Sequence, residues 1–194
     1  WSDGTCLARA VADSIGRAGW DLNEQARRYG SWWREGNYSV TGQCFDIGNT
    51  TRRALSEFEK TGIAHTSGDP AESASGNGSI MRLAPVPIHF ARLFPNSIED
   101  LTHYAIQSSI PTHASPHCTS VCAYMCLIMT AFMHGHTREE VLSPVWPMLQ
   151  QLQDFHQLHS RVAEVLCFFT NPSRWYFTIR EKSFTVTHTK VIRP

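Results

Sequence analysis

The chain has 194 residues, of which 42% are hydrophobic, and this is enough for one domain with a substantial core. Lys plus Arg and Asp plus Glu number 17 each, so the formal net charge is zero. This balance gives no indication of the basic stripe of a nucleic-acid-binding domain or of the charged patch of a membrane-surface protein. No basic stretch precedes an apolar one at the N-terminus, as a secretory signal would require. We expect a cytoplasmic protein with no nucleic-acid partner.

Three amphipathic helices are predicted in the first part of the chain: Thr5 to Ala18, Asp21 to about Arg34, and Asn49 or Thr50 to Phe58. Gly19 ends the first helix, and Asp21-Leu-Asn-Glu24 reads as a capping box that opens the second. Either Asn49 or Thr50 can cap the third. The segment between Gly36 and Gly48 is predicted to be a loop because glycine punctuates it repeatedly.

A polar segment follows from Thr61 to Gly78, rich in Gly, Ser and Asp. It is predicted to be a loop, either ordered for function or mobile. The next segment, Ser79 to Phe94, is apolar but is interrupted by Pro85 and Pro87.

The remaining helices are predicted at Ser97 to about Ser109, His117 to Met133, a capping box at Thr137 to Glu140, and Met148 to Phe169. The longest apolar stretch, Val121 to Met133, is too short and too rich in Cys and Thr to span a bilayer. We therefore expect no membrane partner and an all-α domain of six or seven helices over residues 1–170.

The segment 171–194 breaks with this pattern. From Trp175 to Ile192 it is rich in β-branched and aromatic residues, which is typical of a strand. We expect an atypical, β-prone C-terminal tail.

Three of the six cysteines, Cys118, Cys122 and Cys126, recur every four residues and so share one face of a helix. This spacing favours small core residues in a reducing compartment. A metal site that also uses His113 or His117 is an alternative, but it lacks the usual spacing of paired ligands.

Three polar clusters are candidates for chemistry. In the first, Ser2 and Asp3 stand at the start of a helix, where their oxygens could hold Mg²⁺ or simply cap the helix. In the second, Asp46 and Asn49 occupy a turn flanked by glycine, which is consistent with turn and capping chemistry alone.

The third cluster is Ser73-Ala-Ser-Gly-Asn-Gly78. Two glycines around Asn77 would let backbone N–H groups approach a ligand closely, as in loops that cradle phosphate. The cluster lacks the lysine spacing of a nucleotide-binding P-loop, so spacing alone leaves an ordinary loop open.

Together and in this order, these clusters resemble the ADP-ribosylglycohydrolase family. Trp1-Ser-Asp-Gly-Thr5 resembles the family's W-T-D-D-T, and Ser108 to His113 resembles S-S-x-x-T-H. Close matches also occur in four further segments: Arg28-Tyr29, Trp32 to Gly36, Thr41 to Thr50, and Ser75 to Pro85. The resemblance covers roughly Trp1 to Phe168.

The resemblance implies an all-α hydrolase that removes ADP-ribose from modified side chains with two Mg²⁺ ions. Its expected partner is ADP-ribose or an ADP-ribosylated protein. Ser2 and Asp3 correspond to the first metal motif, a hydroxyl followed by two Asp, but Gly4 has no side chain with which to ligate. The family's C-terminal D-x-D-T motif has no counterpart, and its upstream Glu-bearing segment would precede Trp1. We therefore expect both ends of the active site to be missing and the chain to be impaired or inactive.

The resemblance also implies roles for the remaining polar residues. Asp3 and Asp46 are the expected catalytic carboxylates, and Asp46 and Asn49 are expected to line the ribose pocket. The loop that comprises Ser73, Ala74, Ser75, Gly76, Asn77 and Gly78 is expected to hold the diphosphate or the nearby ribose, with His113 beside the nucleotide. Alternatives are an ADP-ribose-binding pseudoenzyme, a structural protein similar to certain lens crystallins, or a poorly folded relic.

Overall fold

The computed structural model describes residues 2–169. Within them it contains ten α-helices: α1 Asp3–Ala18, α2 Leu22–Glu35, α3 Asn49–Thr61, α4 Gly78–Met81, α5 Pro85–Phe90, α6 Ile98–Ser109, α7 Pro116–Met133, α8 Arg138–Val141, α9 Pro147–Phe155 and α10 Ser160–Phe169. The described residues form no β-sheet, and the prediction of an all-α fold is confirmed. Seven of these helices have nine residues or more, which matches the expected number. The β-prone tail predicted for 171–194 lies outside the described residues.

The N-termini of several helices differ from the predicted ones by a residue or two. Ser2, not Asp3, is the N-cap of α1, and its hydroxyl accepts the N–H of Thr5 at 3.4 Å. Gly48 is the N-cap of α3, so neither Asn49 nor Thr50 caps that helix. Both corrections have one consequence: Asp3 and Asn49 stand inside their helices, where their side chains are not used as caps.

Two other helix starts lie where the sequence predicted them. The capping box predicted for α2 is only half present: the Asp21 carboxylate accepts the N–H groups of Asn23 and Glu24, whereas the Glu24 carboxylate pairs with Arg27 and Arg28. At α8, Thr137 and Glu140 form the predicted reciprocal capping box, in which each side chain accepts the other residue's backbone N–H.

The single helical segment predicted from Met148 to Phe169 is wrong, because it is divided into α9 and α10. His156 adopts an extended backbone and ends α9. Ser120 of α7 stabilises the interruption between the two helices. Its hydroxyl accepts the N–H of His159 at 3.0 Å and lies 3.3 Å from Nε2 of His156. A hydrogen bond from a distant helix thus fixes an interruption that local periodicity does not reveal.

Two large apolar clusters and a small third one, formed by Ala26, Phe58 and Ala64, make up the core of the described residues. The largest one is built on α6 and α7, which pack against α5 and α9 and bury residues such as Leu101, Leu127 and Leu149. The second cluster joins α1, α2 and α3. Cys118, Cys122 and Cys126 are buried free thiols, and no group of three His, Cys, Asp or Glu side chains within 2–169 could hold a metal ion.

Helix α7 is longer than the apolar stretch recognised in the sequence, because it begins at Pro116. By length and composition alone it is apolar enough to cross a membrane, but 61% of it is buried inside the fold. The core helix of a globular domain has the same properties.

The polar segment between α3 and α4 is folded onto the turn between α6 and α7. Asp69 forms a parallel β-bridge with His113. The hydroxyl of Ser75 lies 2.8 Å from that of Ser115, the N-cap of α7. These contacts fix the segment beside the N-termini of α1 and α3.

Candidate active site

A cleft of about 430 Å³ opens where the N-termini of α1 and α3 meet the turns that precede α4 and α7. It brings together eight of the residues predicted from the sequence: Ser2, Asp3, Asp46, Asn49, Gly76, Asn77, Gly78 and His113. These residues come from four separate parts of the chain, so only the fold makes them neighbours.

The first part of the predicted recognition loop does not line this cleft. Ser73 and Ala74 belong to a short 3₁₀ turn. The hydroxyl of Ser75 is hydrogen-bonded to that of Ser115, and Ser75 lines a neighbouring cavity of about 230 Å³. The loop therefore meets the cleft only through Gly76, Asn77 and Gly78.

Two carboxylates that are far apart in the sequence, those of Asp3 and Asp46, line the same cleft. Asp3 lies in the first turn of α1, and Asp46 lies in the loop before α3. Burial raises the pKa of Asp3, and the negative charge of Asp46 raises it further. The two groups thus interact electrostatically, and the Asp3 carboxyl accepts a proton more readily than an isolated Asp does.

The backbone at Asp46 is in the left-handed region, with φ of 53°. Asp is one of the few non-glycine residues that adopt this conformation without severe strain. Such backbone positions are concentrated at functional sites because the surrounding structure must hold them. Asn49 follows as the first residue of α3 and lines the same wall of the cleft.

Tyr38 anchors the loop that carries Asp46, and sequence reasoning missed it. Its hydroxyl donates to Asp13 of α1 at 2.8 Å and accepts from Arg28 of α2 at 2.8 Å. Its carbonyl accepts a hydrogen bond from Arg9 at 3.1 Å. Because Tyr38 itself has φ of 68°, these bonds offset an unfavourable backbone conformation in a bulky residue.

His113 forms the floor of the cleft and is only 2% exposed. Its Nδ1 lies 2.8 Å from the hydroxyl of Thr112, and its backbone is bonded in both directions to Ser109. Burial, assisted by the positive charge of Arg82, lowers the pKa of His113 to about 3. The imidazole is therefore neutral at physiological pH.

Apolar side chains complete the lining, and composition alone did not single them out. Leu7, Trp32 and Met81 contribute this wall. Trp32 and Met81 lie in segments that carry the family resemblance, which is the one sequence signal that could have pointed to them.

Comparison with known proteins assigns the chain to a family. A sequence profile described as ADP-ribosylglycohydrolase matches residues 1–188, which reach into the C-terminal segment. The chain belongs to the ADP-ribosylglycohydrolase family.

Individual members resemble the chain over most of its length. ADP-ribosylarginine hydrolase Tri1 of Serratia proteamaculans is 33% identical over 145 residues, which are 74% of this chain and 38% of that protein. The protein of the same name from Pseudomonas putida is 34% identical over 145 residues, with the same shares of 74% and 38%. The chain thus spans about two-fifths of the length of these curated relatives.

A solved structure supports the fold assignment. An ADP-ribosylglycohydrolase-related protein complex aligns with a TM-score of 0.67 and 28% sequence identity. The alignment covers 86% of this chain and 50% of that one. The all-α architecture of this ADP-ribosylglycohydrolase-family chain is therefore shared with a solved member.

The metal chemistry that the family resemblance implies fits the described residues only in part. Ser2, Asp3 and Asp46 offer oxygen ligands at one cleft, and oxygen ligands suit Mg²⁺. However, the Ser2 hydroxyl is engaged as a helix cap, and Gly4 carries no ligand. A methyl group on Gly4 would lie 3.0 Å from Cβ of Met81, so α1 packs tightly against α4 at this point. Within 2–169, the donor set does not fit a site for two ions.

Proposed function

We propose that this chain recognises ADP-ribose in the cleft and serves hydrolysis of the bond between ADP-ribose and a modified side chain. The observation that supports the proposal is the convergence of eight family-related residues from four parts of the chain on one cleft. No single motif is sufficient to indicate a binding site, because each one separately is compatible with capping or turn chemistry.

The lining of the cleft suits the parts of ADP-ribose. The carboxylate of Asp46 and the amide of Asn49 can bind ribose hydroxyls, and both side chains line the cleft. The backbone of Gly76 to Gly78 is suited to the diphosphate, because no side chain at the glycines stands between the peptide groups and the ligand. The apolar wall from Leu7, Trp32 and Met81 would exclude water from the sugar.

The carboxylates suggest how hydrolysis proceeds. We assign Asp3 as the general base that takes a proton from the attacking water, since burial and the negative charge of Asp46 both raise its pKa above the ordinary value for Asp. The water oxygen bonds to the anomeric carbon as the bond to the side chain breaks, and the proton that Asp3 has taken passes, directly or through solvent, to the leaving nitrogen or oxygen. Asp46 holds the ribose and stabilises the positive charge that develops on the sugar.

The linkage that we propose is the one to arginine. The two curated relatives described above are named ADP-ribosylarginine hydrolase. Because the donor set does not fit two Mg²⁺ ions, no step is assigned to metal, and we propose that ADP-ribose binding by this chain depends only weakly on Mg²⁺.

Calorimetry with ADP-ribose, in buffers with Mg²⁺ and with chelator, tests recognition. Binding of similar strength in both buffers would support the proposal. The variants Asp46→Asn and Asn49→Ala should weaken binding, whereas Ser73→Ala should not, since Ser73 lies outside the cleft. Absence of binding by folded protein would contradict the proposal.

Hydrolysis needs a separate measurement. Release of ADP-ribose from an ADP-ribosylarginine peptide should be lost in Asp3→Asn. If the unaltered chain binds ADP-ribose but releases none from the peptide, the recognition role stands and the catalytic assignment of Asp3 fails.

A further inference from the structure

Arg82 is a cation in the core of the molecule. It is 1% exposed and stands among the largest fully buried side chains. Its Nη2 donates to the carbonyl of Ser108 at 2.9 Å and its Nη1 to the carbonyl of Gly78 at 3.4 Å. The guanidinium lies over the ring of Tyr29, 4.8 Å from its centroid.

This buried charge has no acidic counterpart in the part of the chain that the structure describes. None of the ion pairs found there includes Arg82. Its buried Nε also has no hydrogen-bond partner among those residues. Arginine is almost never fully buried unless it is paired, because removing an isolated charge from water is strongly unfavourable.

The cleft has the opposite imbalance, with negative charge and no positive side chain at its walls within residues 2–169. Its lining includes Asp3 and Asp46 but no Lys or Arg from the described residues, and its histidine, His113, is neutral. A diphosphate in such a cleft would meet two negative charges and no positive one at its walls. Arg82 stands behind that wall, bonded to the carbonyl of Gly78, which is itself part of the lining.

The field of Arg82 reaches the cleft. After burial, its positive charge is the other cause that lowers the pKa of His113, whose ring forms the floor. Little solvent lies between a fully buried guanidinium and the adjacent peptide, so the charge is screened much less than an exposed one would be.

We propose that Arg82 is the buried counter-charge for the diphosphate of ADP-ribose and the positioning residue of the Gly76–Gly78 loop. It acts through the peptide of Gly78 rather than by touching the ligand. Its charge makes the cleft selective for anionic nucleotides over uncharged nucleosides. This inference rests on the proposed recognition of ADP-ribose.

The test compares two probes, ADP-ribose and uncharged adenosine, by calorimetry. In Arg82→Met, which keeps length but removes charge, ADP-ribose affinity should fall about tenfold or more while adenosine affinity changes little. Arg82→Lys, which restores the charge, should recover most of the loss. Arg92→Met is the control, because it removes the same charge from an exposed residue of the 3₁₀ helix Ala91–Leu93, which is not part of the cleft lining.

A purely structural role would weaken both probes in parallel and would overturn the inference. So would full ADP-ribose affinity in Arg82→Met. If Arg82→Met does not fold, ADP and adenosine, which differ only by the diphosphate, are compared on the unaltered protein and on Arg82→Lys: equal affinity of the unaltered protein for both would exclude a counter-charge, and a strong preference for ADP in both proteins would support it. Failure of the unaltered protein to bind ADP-ribose would instead contradict the proposed function.

Discussion

Gly78 and the imidazole of His113 are in such close contact that no side chain fits between them. A methyl group on Gly78 would lie 2.7 Å from Cε1 of His113, and one on Gly76 would lie 3.1 Å from Nε2. The sequence suggested that these glycines let the backbone approach a ligand. In the structure, the contact that requires glycine at 78 is with His113, so the loop and the floor of the cleft form one packed unit.

The first prediction concerns this contact. Gly78→Ala should destabilise the protein by about 1–3 kcal/mol, the range for forcing an extra methyl group into a packed site. It should also abolish ADP-ribose binding, because relief of the clash must displace either the loop or His113. Urea unfolding and calorimetry measure the two effects.

The control is Gly16→Ala. Gly16 lies within α1, and a methyl group there meets nothing within 4 Å. Alanine should therefore stabilise the helix by roughly 0.5–1 kcal/mol and leave ADP-ribose binding unchanged. If both variants behave alike, the close packing at Gly78 is not what holds the loop.

The second prediction concerns the two carboxylates. In Asp46→Asn the pKa of Asp3 should fall toward its ordinary value, since the like charge that raises it has been removed. The fall should be partial, because burial is the larger cause and persists. Titration of the Asp3 carboxyl carbon by NMR measures it. An unchanged pKa would show that the two groups are electrostatically independent.

The third prediction concerns the anchor of the Asp46 loop. Tyr38→Phe removes a hydroxyl that bridges Asp13 and Arg28. Its melting temperature should fall by ~2–4 °C, as expected in a chain of this size for the loss of a bridging hydrogen bond. ADP-ribose affinity should also fall, because the loop that carries Asp46 is less well fixed.

Tyr104→Phe provides the comparison for Tyr38. Tyr104 stacks on Phe90 with ring centroids 3.8 Å apart, and its hydroxyl has no hydrogen-bond partner among residues 2–169. The substitution should change neither the melting temperature nor the affinity for ADP-ribose. A similar response in both variants would mean that the Tyr38 hydroxyl does not anchor the loop.

The sequence predicted well the features that depend on local chemistry. The capping box at Thr137 and the long helix up to Met133 follow from residue types within a few positions of each other. The break at His156 could not be predicted in this way, since it depends on Ser120, more than thirty residues earlier. Three-dimensional contacts of this kind leave no periodic signal.

The candidate site shows the same division. Asp46, Asn49 and His113 were found through resemblance to a family, because spacing alone was compatible with ordinary turns. The burial of Arg82 was not foreseen, since arginine is normally exposed and the residue sits in an otherwise unremarkable run after the Gly-rich loop. The strained backbone at Tyr38 likewise depends on partners in two other helices.

The last prediction concerns pH. The pKa of His113 is lowered from 6.5 to about 3 in the folded protein, so the buried imidazole stays neutral while the unfolded chain binds a proton below pH 6.5. Stability therefore falls as pH decreases through this window, with a contribution from His113 of up to about 1.4 kcal/mol per pH unit. Urea unfolding at about pH 7, 6 and 5 measures how steeply the free energy of unfolding changes with pH.

His113→Gln isolates this contribution, because His117 and His156, whose pKa values burial also lowers, remain in the variant. The variant should be less stable at pH 7, since it disturbs the packing against Gly78. Its free energy of unfolding should decline less steeply toward pH 5, and the difference in slope should correspond to the uptake of about one proton fewer on unfolding. Equal slopes in the two proteins would mean that His113 takes up its proton in the folded state. In that case the floor of the cleft would carry a positive charge in mild acid, and ADP-ribose would bind more tightly there at low pH.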